Sequence, residues 1–326
     1  MRPDAPVLCL AGATATGKTE VGIALARALH ADVVCCDALT VYRGVSILTA
    51  KPVAPPDVPH RLLDLVEPFE AYSAGRFVTD ADAAIADARA RGRDALVVGG
   101  TALYLRVFLK GLGPQTARNE GLRTELERVH RDEGPGALWR RLAAVDPARA
   151  RALHENDARR LVRALEIVEA TGRLASSFRE EWDGPDRRAA VVVALRRDEA
   201  DLGRRIEART RSMVAAGVVD EVTRLHADPR GVSKELAQSI GFADALARLA
   251  GTISDEELVA RIVRATRRFT KRQGTFFRGF PAIRWVDAGP GDDPDELARR
   301  VRAAADAPPP PPHAPPPPYA PPPPYA

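Results

Sequence analysis

The chain has 326 residues, of which 45% are hydrophobic and 28% charged, and its formal net charge is +4. That length holds one large domain or two modest ones around a buried core, in a composition typical of soluble globular proteins. No run approaches the roughly 20 apolar residues that span a bilayer, and Cys9, Cys35 and Cys36 lack the spacing of a metal site or disulfide framework.

Residues 6–11 (PVLCLA) predict a buried strand, followed by a glycine loop and a helix over 18–29. With no basic segment or small-residue cleavage site before this strand, no signal peptide is expected, and the thiols suit a reducing cytoplasm. Residues 32–36 (DVVCC) form a second strand ending at Asp37. Residues 94–98 (DALVV) form another, leading into Gly99, Gly100, Thr101 and a helix to residue 109. Short β-rich runs alternating with helices imply a parallel, doubly wound sheet, whose functional loops lie beyond the carboxyl ends of the strands. That rule singles out residues 12–19, 37–42 and 99–104.

Residues 112–186 carry apolar positions at helical spacing with many arginines, and residues 189–195 (AAVVVAL) return to a strand pattern. The helical block therefore reads as an insertion. The expected organisation is a catalytic core over 1–112 and 187–290, a helical insertion over 113–186, and a disordered proline-rich tail over 306–326. Helices dominate residues 201–278, and residues 283–286 are a last strand candidate.

Gly12, Ala13, Thr14, Ala15, Thr16, Gly17, Lys18 and Thr19 fit GxxxxGK[ST] between a strand and a helix. Backbone N–H groups in such a loop converge on phosphate oxygens, Lys18 adds a point charge, and the Thr19 hydroxyl can ligate magnesium. Asp37 has two readings, a turn cap or a general base that accepts a proton from an amine. Thr101 has two as well, a helix cap or a contact for a bridging diphosphate oxygen. Arg205 and Arg209 share a helix face, which by itself is only a solvated stripe. Arginines and lysine recur from Arg261 to Arg272 and lead to Phe276, Phe277 and Arg278, a pattern that serves either an RNA surface or a helix with core anchors.

In order, GATATGKT at 12–19, VYRG at 41–44, TAKP at 49–52, VGGT at 98–101, RALE at 163–166 and ATRR at 265–268 running to KRQ at 271–273 resemble the tRNA dimethylallyltransferase family. The resemblance spans about residues 5–287. It implies a P-loop NTPase-like α/β core that binds dimethylallyl diphosphate with magnesium, plus a helical insertion for the anticodon stem-loop of tRNA. It implies catalytic roles for Asp37, Thr101, Lys18 and Arg209, with Asp37 as general base. It implies tRNA contacts at Asp37, Ala38, Leu39, Thr40, Thr101, Arg123, Arg159, Arg160, Arg163, Lys271, Arg272, Gln273 and Arg278. A monomer is expected. Ala38 and Thr40 depart from the family's usual Ser and Gln, which bears on acceptor recognition. A small-molecule kinase or prenyltransferase on the same core, and an RNA-binding protein with a relic phosphate loop, are the alternatives.

Overall fold

The computed structural model describes residues 6–111, 119–134, 136–178, 186–280 and 282–311, and the expected tail beyond residue 311 lies outside them. The chain divides into two compact units, one comprising Met1–Leu109 with Arg188–Ala326 and the other Lys110–Arg187.

The first unit is built on six parallel strands, β1 (Val7–Gly12), β2 (Ala31–Cys35), β3 (His60–Arg61), β4 (Asp94–Gly99), β5 (Ala190–Arg197) and β6 (Arg284–Ala288). Their order is β3-β2-β4-β1-β5-β6. Register decides which residues share a face, because side chains alternate along a strand. Leu10, Leu96, Val98, Val193 and Leu195 enter one apolar cluster with α1 (Lys18–Leu29) and the last helix of the chain. Their neighbours Cys9, Ala11, Val97, Val192 and Ala194 are buried as well, outside that cluster. A sheet buried on both faces explains why its strands read as continuous apolar runs rather than alternating ones. Helices α2 (Ala74–Ala90) and α3 (Ala102–Lys110) contribute Phe77, Tyr104 and Phe108, with Phe77 and Tyr104 stacked at 5.1 Å between centroids.

The second unit holds α4 (Glu120–Asp132), α5 (Ala137–Val145), α6 (Pro147–Arg151) and α7 (Ala158–Thr171) around its own core of Leu126, Leu138, Leu142 and Leu161. Side-chain caps start three of these helices. Asn119 accepts from Leu122 N, Asp146 from Arg149 N and Asp157 from Arg160 N. Each cap satisfies an amide that has no partner inside its helix.

The first unit is completed by α8 (Glu199–Ala215), α9 (Val218–His226), α10 (Lys234–Ala237), α11 (Phe242–Leu249), α12 (Asp255–Arg278) and α13 (Pro294–Asp306). No helix among the described residues is long and apolar enough to cross a membrane.

Candidate active site

Three loops meet at the carboxyl ends of adjacent strands. Gly12 of β1 lies in register beyond Ala11, which pairs with Gly99 of β4, and Cys35 of β2 pairs with Val98 of β4. The sheet thus brings residues 12–19, 37–40 and 99–101 together at the point where the strand order reverses about β1, the usual ligand position in such folds. The approach is closest at Gly99, where an added Cβ would stand 2.0 Å from the Cys36 carbonyl oxygen, so no side chain fits.

The phosphate loop opens α1 through Gly17, whose φ of 92° favours glycine. Side chains from distant segments grip its backbone. Arg197 Nε donates to Thr16 O at 2.8 Å, Arg205 Nε to Ala15 O at 2.8 Å, and Thr14 N donates to Gln273 Oε1 at 3.0 Å. Lys18 Nζ lies 3.3 Å from Ala13 O, within the loop. Desolvation pushes the Lys18 ammonium down to about 8; Asp37 pulls it up and Arg209 presses it further down.

Asp37 makes the expected turn cap with one of its two carboxylate oxygens. Oδ1 accepts from Leu39 N at 2.9 Å and Thr40 N at 3.3 Å, which closes the turn. Oδ2 receives no hydrogen bond among the described residues and is available to a ligand. Thr101 Oγ1 accepts from Ala38 N at 3.1 Å, so this hydroxyl ties the end of β4 to the Asp37 turn.

Arg209 on α8 is electrostatically coupled to Lys18 and Asp37. Burial lowers its pKa and Asp37 opposes the shift. Its Nε is buried with no hydrogen-bond partner among the described residues. A buried guanidinium donor without a protein partner, beside a phosphate loop, is chemically suited to an anion. Thr40 also has a buried hydroxyl without a partner among the described residues.

For a cation, the donor set decides. Among the described residues no group of three or more His, Cys, Asp or Glu side chains could hold a metal ion. Thr19, in the first turn of α1, is the one hydroxyl of the loop expected to reach such an ion. A magnesium ion at this place fits only with most of its oxygens supplied by a diphosphate and water, the usual arrangement for that ion.

The remaining expected residues divide by environment. Arg159 and Arg160 are exposed on α7 and Arg163 is half-buried; Lys271, Arg272 and Arg278 are exposed on α12. Arg123 makes a bidentate pair with the buried Glu166 at 2.9 Å for both contacts, so it braces α4 against α7. Gln273 is buried. Arg197 stands in no motif that would mark it, and Arg205, expected on a solvated face, instead holds the loop. Glu221 likewise carries no sequence signal, and it accepts from the amides of Ser46, Ile47 and Leu48 at 2.8–3.0 Å. A separate cavity of about 990 Å³ lies beside the loop, lined by Arg196, Arg197, Arg267, Lys271, Arg278 and Trp285 among others; Lys18, Asp37, Thr101 and Arg209 do not line it.

A parallel sheet carrying a phosphate loop, with a carboxylate and a buried arginine facing it, defines a P-loop α/β enzyme. The IPP transferase family profile matches residues 40–280. The chain is 44% identical to a tRNA dimethylallyltransferase of Anaeromyxobacter dehalogenans (strain 2CP-C), over 90% of this chain and 98% of that protein. It is 43% identical to a tRNA dimethylallyltransferase of Halorhodospira halophila, over 84% of this chain and 90% of that protein. Among solved structures, the full-length tRNA isopentenylpyrophosphate transferase of Bacillus halodurans superposes with a TM-score of 0.67 at 31% identity, covering 92% and 95% of the two chains. A eukaryotic dimethylallyltransferase acting on tRNA superposes with a TM-score of 0.74 at 26% identity, covering 91% of this chain and 77% of that one. The chain belongs to the IPP transferase family.

Proposed function

We propose that the enzyme transfers a dimethylallyl group from dimethylallyl diphosphate to the exocyclic N6 amine of the adenosine 3′ of the anticodon in tRNA, giving N6-(dimethylallyl)adenosine. The observation that carries this reading is the free Oδ2 of Asp37 near Lys18 and the unpartnered Nε of Arg209, all three groups interacting electrostatically. A base and an anion cradle are what an alkyl transfer from a diphosphate to an amine requires. The names of the relatives, tRNA dimethylallyltransferases, support the same chemistry for this chain.

In the transfer, the bond between the allylic carbon and the bridging diphosphate oxygen breaks as the bond from that carbon to N6 forms. The proton leaving N6 passes to Asp37 Oδ2, while the electron pair of the broken bond departs with diphosphate. Lys18, Arg209 and the loop amides stabilise the charge gathering on the leaving group, usually the largest catalytic contribution in such reactions. Magnesium, bound through Thr19 and the diphosphate, would add Lewis-acid stabilisation of the same charge. Thr101 holds the Asp37 turn at the sheet end and presents its hydroxyl to the bridging oxygen and acceptor. The adenosine must leave the loop stack to reach Asp37, as bases do in other base-modifying enzymes. Arg159, Arg160, Arg163, Lys271, Arg272 and Arg278 supply positive charge for the RNA backbone. The protein acts in the cytoplasm as a monomer, beside its tRNA.

The test supplies magnesium, labelled dimethylallyl diphosphate and tRNA lacking the modification to the native protein and to Asp37→Ala. Label enters tRNA with the native protein, and the variant loses on the order of 10²–10⁴-fold in rate, the usual contribution of a general base. Equal transfer by both would remove Asp37 from its role. Transfer only to free adenine nucleotides would replace tRNA as the acceptor.

A further inference from the structure

Helix α12 is amphipathic, and most of its polar positions face water. Arg267, Arg268, Lys271 and Arg272 are exposed along it. Gln273 departs from that pattern, being only 6% exposed. Its amide sits in a slot between two of the loops that form the site. Oε1 accepts from Thr14 N at 3.0 Å, and Nε2 donates to Gly100 O at 2.7 Å. The slot is closely filled, because a Cβ added at Gly100 would lie 2.9 Å from Nε2 and 3.1 Å from Gly12 O.

Both halves of the amide are used, in one orientation. The acceptor must face the phosphate loop and the donor must face the Gly100 carbonyl, a bridge that Lys18, turned to Ala13 O, does not make. Thr14 N is thereby held by protein, leaving later amides of the loop for phosphate. Gly100 in turn adjoins Thr101, whose hydroxyl holds the Asp37 turn through Ala38 N. One side chain therefore connects the phosphate loop, the Thr101 loop and, through it, the candidate base.

We propose that Gln273 is a positioning residue of the diphosphate site, setting the spacing between the phosphate loop and the Gly100–Thr101 loop, and is not itself a contact to RNA. This rests on the reading above that the phosphate loop binds an allylic diphosphate. An RNA contact would require Gln273 to leave its slot and to abandon the half-buried Thr14 amide and the buried Gly100 carbonyl, each of which then loses this partner. The neighbours Lys271 and Arg272, exposed on the same helix, need no such change. Helix α12 thus presents cations outward and a loop clamp inward, so that its placement fixes the donor site as well as its outer surface.

The test compares native protein with Gln273→Glu and Gln273→Met, by calorimetric binding of inorganic diphosphate with magnesium, filter binding of tRNA, and steady-state transfer. A glutamate keeps the acceptor for Thr14 N but turns an acceptor toward Gly100 O. The expected result is an increase of about tenfold or more in the diphosphate Kd and in the donor KM, with tRNA Kd within about twofold of native. A protonated glutamate again pairs one acceptor with one donor, so Gln273→Glu regains affinity relative to native protein as the pH falls from about 7.5 towards 5, whereas Gln273→Met does not. Both variants are checked for native thermal unfolding, and Gln273→Met serves where the carboxylate prevents folding. Weakened tRNA binding with unchanged diphosphate affinity would overturn the assignment in favour of an RNA contact. Parallel losses of diphosphate and tRNA binding with no recovery of the glutamate variant at low pH would overturn it in favour of general scaffolding. Native protein that binds no diphosphate would defeat the underlying functional reading and this inference with it; native binding with unaffected variants would defeat the inference alone.

Discussion

Lys18 works at the edge of its own charge. Removal from water at the base of the loop brings its pKa from 10.5 to about 8. A depressed lysine pKa means that the charged form is disfavoured by the fold, so folding bears a cost that is fully present below about pH 8 and fades as the pH approaches 10.5. In the proposed reaction an incoming diphosphate would relieve that cost by pairing with the ammonium. Donor binding should therefore be strongest below about pH 8 and weaken as the pH rises through that value, at up to about tenfold per unit if Lys18 must be charged. The check is the pH profile of kcat/KM for dimethylallyl diphosphate, in which Lys18→Arg should remove the alkaline break. Lys18→Met should lose turnover while raising the thermal midpoint of the empty protein at pH 7, an advantage that disappears near pH 10.5. An alkaline break retained in the arginine variant would assign it to another group.

The elements around the site show what was readable in advance and what was not. Helix α1 is bounded by Gly17 and His30, as its glycine loop and apolar spacing indicate, and β1, β2, β4 and β5 are continuous apolar runs because both sheet faces are covered. All of these signals are local. The two-residue strand β3 has no such signal; it exists because His60 and Arg61 pair with Val33 and Val34 of β2. Helix α13 does carry one, Asp293 as cap with Pro294 opening the helix and Glu296 following, in a stretch for which no element was expected. The contacts of Gln273 with the phosphate loop join residues 259 apart in sequence, and a lone Gln in a basic helix gives no hint of them. The edge of the sheet adds a further case. Asp32 of β2 is fully buried, and although burial opposes its charge, Arg91, Arg61 and Arg93 hold its carboxyl below the usual carboxylate range. Contacts of 2.6–2.9 Å from these three arginines knit β2, β3 and the end of α2. A depressed carboxyl pKa contributes stability above its unfolded value of 3.8 that is lost as the pH falls through the folded value. Asp32→Asn should cost about 2–4 kcal/mol by denaturant titration at neutral pH, through guanidiniums left with a poorer partner. The difference from native protein should shrink below about pH 4, and a difference independent of pH would mean that shape alone matters at this position.

At the scale of the molecule, the net charge of +4 understates the positive surface offered to RNA, because acidic residues pair with many of the arginines elsewhere. Exposed cations occur in each compact unit, at Arg159 and Arg160 in one and at Lys271 and Arg272 in the other. Each phosphate neutralised releases condensed counterions, so log Kd for tRNA should rise linearly with log salt, by about 0.7–0.9 per contact. Filter binding of tRNA across a salt series separates the contributions. If both units hold the RNA together, Arg159→Ala with Arg160→Ala and Lys271→Ala with Arg272→Ala should each lower the slope by about 1–2, and the combined variant should lower it by the sum. Diphosphate binding should stay near native in the first pair, whose residues belong to a unit with a core separate from that of the sheet. A slope that changes in only one pair would confine the RNA backbone contacts to that unit, and the other unit's arginines would then be solvated faces of its helices.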